Sequence, residues 1–227
     1  MSTKSVSPSN PPQKVAGLIL AAGMGTRMGR PKQLLPVPVS PRGGQEEKVV
    51  WTPLIRRILQ EAISSRLHHV VVVLGHKGQE TLDSISDLLE PDKVSVIYNR
   101  EYEKGLSKSI RTGLEFLKGD YDHAMILLAD MIHIDRGLID SFLKAYLDSG
   151  APLGAVRIEG RRSHPVIFSR RLFQELSSLE GDLGGRALFH KYSSLVFLWN
   201  APPGLIELDI DTPEDYARLI KPFVEKS

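Results

Sequence analysis

Leu18-Ile19-Leu20-Ala21-Ala22-Gly23-Met24-Gly25-Thr26-Arg27-Met28-Gly29-Arg30-Pro31-Lys32 runs from an apolar segment into a glycine-rich stretch and then supplies cations. The apolar part begins at Val15 and continues to Ala21 almost without a break, which predicts a central strand covered on both faces, as in a parallel α/β sheet. Gly23 and Gly25 free the backbone for positive φ and close approach, so successive N–H groups can converge on an anion, while Arg27 and Lys32 add charge and directed donors. The expected guest is the triphosphate of a nucleotide; the plain alternative is a glycine-rich turn with two solvated cations. The glycines at positions 23, 25 and 29 are spaced one residue too wide for the dinucleotide fingerprint, and no G-K-[ST] follows for a Walker A loop.

Composition bounds the rest. At 227 residues the chain is long enough for one α/β domain with a sizeable core, expected over 14–227 behind a disordered, Ser/Pro/Asn-rich tail at 1–13. A formal charge of +2, with 41% hydrophobic and 25% charged residues, is ordinary for a globular protein and gives no nucleic-acid footprint. No apolar stretch approaches the roughly 20 residues that span a bilayer, and the start lacks a signal-peptide pattern, so no membrane partner is expected. Cysteine is absent, which excludes disulfides, thiolate metal sites and a cysteine nucleophile and fits a cytoplasmic protein.

Strand-like and helix-like runs then alternate: a helix from Thr52-Pro53 to Ser64, a strand Val70 to Leu74, a helix near Gln79 to Leu89, a strand Val94 to Tyr98, a helix Ser107 to Leu117, a strand Ala124 to Ala129 and a helix Gly137 to Leu147 closed by Gly150. Such alternation predicts βαβ units and a mostly parallel, three-layer Rossmann-like sheet. Ala155 to Ile158 and Val166 to Phe168 flank a polar turn and read as a small hairpin inserted into that pattern. Leu195 to Trp199 and Ile206 to Ile210 read as strands, and Thr212 with Asp215 reads as a capping box that starts a last helix at Pro213. Pro36 to Trp51 is too long for a tight link and reads as a surface insertion.

Asp130 follows a buried strand, at the carboxyl end where open α/β sheets bind ligands, which makes it a metal-ligand candidate; capping the next helix is the alternative. In Leu208-Asp209-Ile210-Asp211 the two aspartates fall on one side of an extended chain, so Asp209 or Asp211 can meet Asp130 around one Mg²⁺. Gly75-His76 and Asn99 end two further strands on the same rim, where a base or ribose would rest. Gly105 permits close approach, and Ser107 is a candidate N-cap.

The run L-A-A-G-x-G-T-R-M-G-x-P-K resembles the signature loop of the MobA-like nucleotidyltransferases, which include the guanylyl- and cytidylyltransferases of molybdopterin, the methylerythritol-phosphate cytidylyltransferases and many sugar-phosphate nucleotidyltransferases. The resemblance implies that Leu20, Ala21, Ala22, Gly23, Gly25, Thr26, Arg27 and Lys32 hold the nucleotide. It also implies that the segment Asn99 to Gly113 borders it and that Asp209, four residues before Pro213, joins Asp130 as metal ligand. Arg161-Arg162-Ser163-His164-Pro165 and the G-D-x-G-x-R-x-L segment ending in Arg186-Ala187-Leu188 look like segments of the molybdenum cofactor cytidylyltransferases, which implies that Arg161, Arg162, His164 and Arg186 bind the acceptor. Ala22 in place of a second glycine, with Pro31 before Lys32, implies CTP over GTP. One departure stands out: Ile132 occupies the position where a proline usually follows the strand-end aspartate.

The implied reaction moves CMP from CTP to the terminal phosphate of the molybdenum cofactor, with Mg²⁺ as cofactor, Arg27, Lys32 and Asp130 as catalytic groups, and a molybdenum hydroxylase as a further partner. Two alternatives stay open. One is a cytidylyl- or uridylyltransferase for a sugar or polyol phosphate; the other is a non-catalytic cofactor-binding insertion factor.

Overall fold

The computed structural model describes residues 12–39, 49–181, 185–207 and 210–224, with the side chains of Arg27 and Val224 outside it. The expected tail up to residue 11, the centre of the 36–51 stretch, Asp182 to Gly184, and Asp209 therefore lie outside the described residues.

The apolar run forms β1 (Val15–Ala21), buried throughout. Val15, Ile19 and Ala21 enter one apolar layer and Ala16, Leu18 and Leu20 the other, which is the period of two that a strand imposes. Two short 3-10 turns follow, Thr26–Met28 and Lys32–Leu34. β2 (Pro36–Val39) and β3 (Val50–Pro53) pair antiparallel as a separate ribbon, so the ends of the expected insertion are structured. Next come α1 (Leu54–Ile63), β4 (His69–Leu74), α2 (Gly78–Asp83), β5 (Val94–Tyr98), α3 (Leu106–Phe116), β6 (His123–Leu128) and α4 (Arg136–Ser149). The chain continues through β7 (Leu153–Ile158), β8 (Arg161–Ser169), α5 (Phe173–Ser177), α6 (Arg186–Lys191), β9 (Val196–Asn200) and α7 (Pro213–Val224).

Seven strands form one sheet in the order β5-β4-β1-β6-β8-β7-β9. β8 runs against both of its neighbours, and the other pairings are parallel. Helices α1 and α4 cover the face that holds Ile19, Val72 and Leu127. Helices α3, α5 and α6 cover the face that holds Leu18, Val73 and Ile126. The result is a three-layer α/β fold with β1 central and the strand ends of β1, β4 and β6 on one rim.

Three expectations change. The β7–β8 hairpin is part of the main sheet rather than an insertion, because β8 uses its other edge to pair with β6. The helix expected near Gln79 to Leu89 stops at Asp83, where Ser84 and Ser86 turn their hydroxyls back onto the Thr81 and Asp83 carbonyls and a 3-10 turn takes over. The described part of Ile206 to Ile210 is not a strand; Ile210 is instead buried in a third cluster with Met28, Leu35, Val37 and Leu54. That cluster places the segment before α7 beneath the glycine-bearing loop.

The start of α7 is closed by a reciprocal cap. The Thr212 N–H donates to Asp215 Oδ2 at 3.0 Å, and the Asp215 N–H donates to Thr212 Oγ1 at 3.2 Å. Replacing Thr212 by Ala removes one half of this box and is expected to cost about 1 kcal/mol of stability. Urea denaturation checks this: the midpoint falls with the slope unchanged, and an unchanged midpoint contradicts the role given to the cap.

Candidate active site

A cleft of about 330 Å³ opens at the carboxyl ends of β1 and β6. Its floor is Leu20 to Gly25, its far wall is Leu128 to Asp130 with Lys32 and Gln33, and its rim is Tyr102, Glu103, Gly105, Leu106 and Ser109. The loop turns at Gly25, with φ 62°, where a Cβ would run into the Arg30 carbonyl. Gly29 also takes positive φ, whereas Gly23 does not, so the sharp turn lies later than the sequence implied. The turn closes by Met28 N–H to Gly25 O at 2.9 Å and Gly29 N–H to Thr26 O at 3.3 Å, which leaves the Gly23 to Thr26 N–H groups outside that turn.

Lys32 is the electrostatic centre. Its ammonium donates to the Asp211 carboxylate and stands 3.6 Å from Asp130. Lys32 is largely buried, and both aspartates keep about a third of their side chain exposed. Two carboxylates from distant segments thus converge on one cation. The neighbouring Gln33 is buried and donates its side-chain amide to the Ala21 carbonyl at 3.2 Å, pinning the Lys32 turn to the end of β1.

Of the residues singled out from sequence, Leu20, Ala21, Ala22, Gly23, Gly25, Lys32, Gly105 and Asp130 line this one cleft. Thr26 and Arg27 lie in the adjoining 3-10 turn, with the Arg27 side chain outside the described structure. Gly75 and His76 act from behind the floor. A Cβ at Gly75 would come within 2.7 Å of both Ala22 Cβ and Tyr102 Cβ, and the His76 N–H donates to the Ala22 carbonyl at 3.3 Å. Asn99 is buried, donating to Ser109 Oγ at 3.0 Å and accepting the Glu101 N–H at 2.9 Å, so its side chain organises the loop before α3. Ser107 is not the N-cap: Gly105 holds that place, and the Ser107 hydroxyl is buried in the first turn. Tyr102, Glu103 and Ser109 belong to the 99–113 segment that the resemblance set beside the nucleotide, whereas Gln33 is a cleft residue that sequence reasoning missed, since its approach is made by packing between loops.

A basic group stands on β8 and α6. Arg161 and Arg162 open β8 and are exposed, while residues 164 and 165 fall in a register break, with Val156 facing Ser163 and Ala155 facing Val166. A bulge of this type re-aims side chains out of the ladder. The Arg162 guanidinium lies 4.4 Å from the Phe189 ring centre, and burial together with Arg186 holds it below its ordinary value. Burial, with Arg162, His133 and Arg186 nearby, pushes His164 down to about 4. His164 is therefore a neutral hydrogen-bonding group among cations. His133 comes from the segment just after Asp130 and was not anticipated.

The two described carboxylates fit a hard divalent ion that shares its shell with phosphate and water, because Mg²⁺ is commonly held by one or two carboxylates plus substrate oxygens. Among the described residues there is no group of three or more acidic, histidine or cysteine side chains that could hold a metal alone. No described helix is long and apolar enough to cross a membrane.

The depressed His164 has a thermodynamic consequence. Between its unfolded value near 6.5 and its folded value of about 4, the unfolded chain takes up a proton that the native state refuses, so stability falls as pH drops through that window. His164→Gln removes this contribution, and urea midpoints at pH 7 and about pH 4.5 are expected to differ less in the variant than in the parent. An equal loss in both proteins contradicts the buried neutral imidazole.

A molybdenum cofactor cytidylyltransferase of Escherichia coli (strain K12) is 26% identical over 211 residues, covering 92% of this chain and 96% of that protein. A nicotine blue oxidoreductase of Paenarthrobacter nicotinovorans is 29% identical over 224 residues, covering 91% and 96%. The fold matches Rv0371c of Mycobacterium tuberculosis H37Rv, solved in complex with manganese, with a TM-score of 0.70 at 23% identity over 92% of this chain and 98% of that one. The family model of the MobA-like NTP transferase domain matches residues 17–195, and the chain belongs to that family.

Proposed function

We propose that the protein transfers CMP from CTP to the terminal phosphate of the molybdenum cofactor, giving the cytosine dinucleotide form and pyrophosphate, with a molybdenum hydroxylase as the eventual recipient of the product. The observation that carries this reading is Lys32, a loop cation set between Asp130 and Asp211 at the mouth of a glycine-floored cleft. The L-A-A-G loop with Pro31 before Lys32 and the similarity to a molybdenum cofactor cytidylyltransferase support this acceptor and base.

An oxygen of the acceptor phosphate forms the new bond to the α-phosphorus of CTP as the bond to the bridging oxygen breaks and pyrophosphate leaves. A phosphate monoester is already anionic at neutral pH, so positioning and charge neutralisation suffice without a general base. Asp130 and Asp211 are the described residues that would hold Mg²⁺, with Asp209 the ligand that family resemblance implies. When bound, Mg²⁺ supplies Lewis-acid polarisation of the α-phosphate. With the carboxylates so engaged, Lys32 is available to the departing pyrophosphate together with Arg27. Arg161, Arg162 and Arg186 receive the acceptor's phosphate and pterin, and neutral His164 contributes hydrogen bonds.

The test is incubation of the purified protein with Mg²⁺, molybdenum cofactor and either CTP or GTP, with mass detection of the dinucleotide and release of pyrophosphate. Cytosine dinucleotide is the expected product; no dinucleotide from either nucleotide, with nucleotide binding intact, transfers the acceptor role to a sugar or polyol phosphate. Asp130→Ala is expected to lower transfer by about a hundredfold or more. Lys32→Ala is expected to weaken nucleotide binding roughly tenfold and to lower the rate as well. Near-normal turnover by Asp130→Ala removes the metal assignment.

A further inference from the structure

At the opposite end of the sheet, where β6 begins and β8 ends, lies a second cavity of about 240 Å³. His123, Tyr146, Ser169, Arg171 and Gln13 form its polar wall. β6 is six residues long, so about 20 Å of strand separates this cavity from Asp130, and the two sites share no residue.

His123 is buried, and its Nδ1 lies 3.1 Å from the Tyr146 hydroxyl. Burial holds Tyr146 well above its ordinary value and His123 below its own, so the pair is a protonated phenol and a neutral imidazole. The other ring nitrogen of His123, Nε2, is buried and has no hydrogen-bond partner among the described residues. Such a group is costly to leave unsatisfied.

Arg171 and Arg170 bring positive charge to this end of the sheet, and the Asp122 carboxylate lies beside His123. The described wall contains no carboxylate. Asp122, next to His123, is taken by the Lys14 N–H at 2.9 Å and by Arg170 at 3.3 Å, and Arg170 also donates to the Tyr121 carbonyl at 2.6 Å. Arg171 makes no ion pair among the described residues. The carbonyls at the end of α4 do not oppose an anion, since Tyr146 O accepts the Ser149 hydroxyl at 2.6 Å and Leu147 O accepts the Gly150 N–H at 3.3 Å.

We infer that this cavity is a second binding site, for a small oxyanion of the phosphate or carboxylate type, held by the Arg171 guanidinium and the Ser169 hydroxyl, with the His123–Tyr146 pair behind them. It is independent of the nucleotidyl transfer reaction proposed above.

The test follows the histidine ring signals of the full-length, ¹⁵N-histidine-labelled protein during titration with inorganic phosphate and, separately, acetate. Lys32→Ala serves as background so that binding in the main cleft does not interfere. Saturable movement of the His123 signals is expected, with the apparent affinity reduced about tenfold or more in Arg171→Ala. Arg171 is exposed, so the substitution leaves the fold intact, and Arg171→Gln provides a second variant. Movement with phosphate alone assigns a phosphate site, and movement with both probes a general oxyanion site. His123 signals that stay fixed, or that move equally in the Arg171 variants, overturn the inference.

Discussion

One cation held between two carboxylates organises the functional end of this molecule. Lys32 comes from the loop after β1, Asp130 from the end of β6, and Asp211 from the segment that leads into α7. Each of these positions is fixed by apolar packing rather than by the charges themselves. Leu20 and Leu128 anchor the strand ends, and Ile210 is buried against Met28, Leu35, Val37 and Leu54. Partly exposed ion pairs contribute little to stability on their own, so this group is better understood as a product of the fold than as its cause.

The same economy explains the floor of the cleft. Gly75 sits where any side chain would strike Ala22 and Tyr102, and Gly25 turns where a Cβ would strike Arg30. The absence of side chains at these two glycines lets the β1 loop and the segment before α3 approach closely enough to enclose the cleft. On β8 and α6, the register break and the Arg162 stack on Phe189 set cations around a histidine kept neutral. A neutral donor among guanidinium groups adds direction without adding further repulsion.

Much of this was legible in the chain because it rests on local periodicity. β1 and β5 coincide with their apolar runs, Gly150 ends α4 in the left-handed conformation, and Thr212 with Asp215 forms the expected cap. What local pattern could not show was pairing. The alternation around Ile210 looks like a strand, yet its partner is a side cluster; the β7–β8 hairpin looks like an insertion, yet β8 has a free edge that β6 takes. Short helices such as α5 and α6 have too few turns for a periodic stripe to stand out. Within the site, Lys32 and Asp130 announced themselves by type and position, whereas the closeness of Asp211, Tyr102 and Ser109 depends on loops that meet only in the folded chain.

In the proposed reaction a divalent cation would take the carboxylates of Asp130 and Asp211 that Lys32 otherwise holds, leaving Lys32 for the phosphates of the nucleotide. Calorimetric titration of CTP with Mg²⁺ present and then with chelator is the most direct measurement. Mg²⁺ is predicted to tighten CTP binding by about tenfold or more in the parent protein, and the difference is predicted to vanish when Asp130 and Asp211 are both replaced by Ala. Equal affinity for CTP with and without Mg²⁺ in the parent protein contradicts the account.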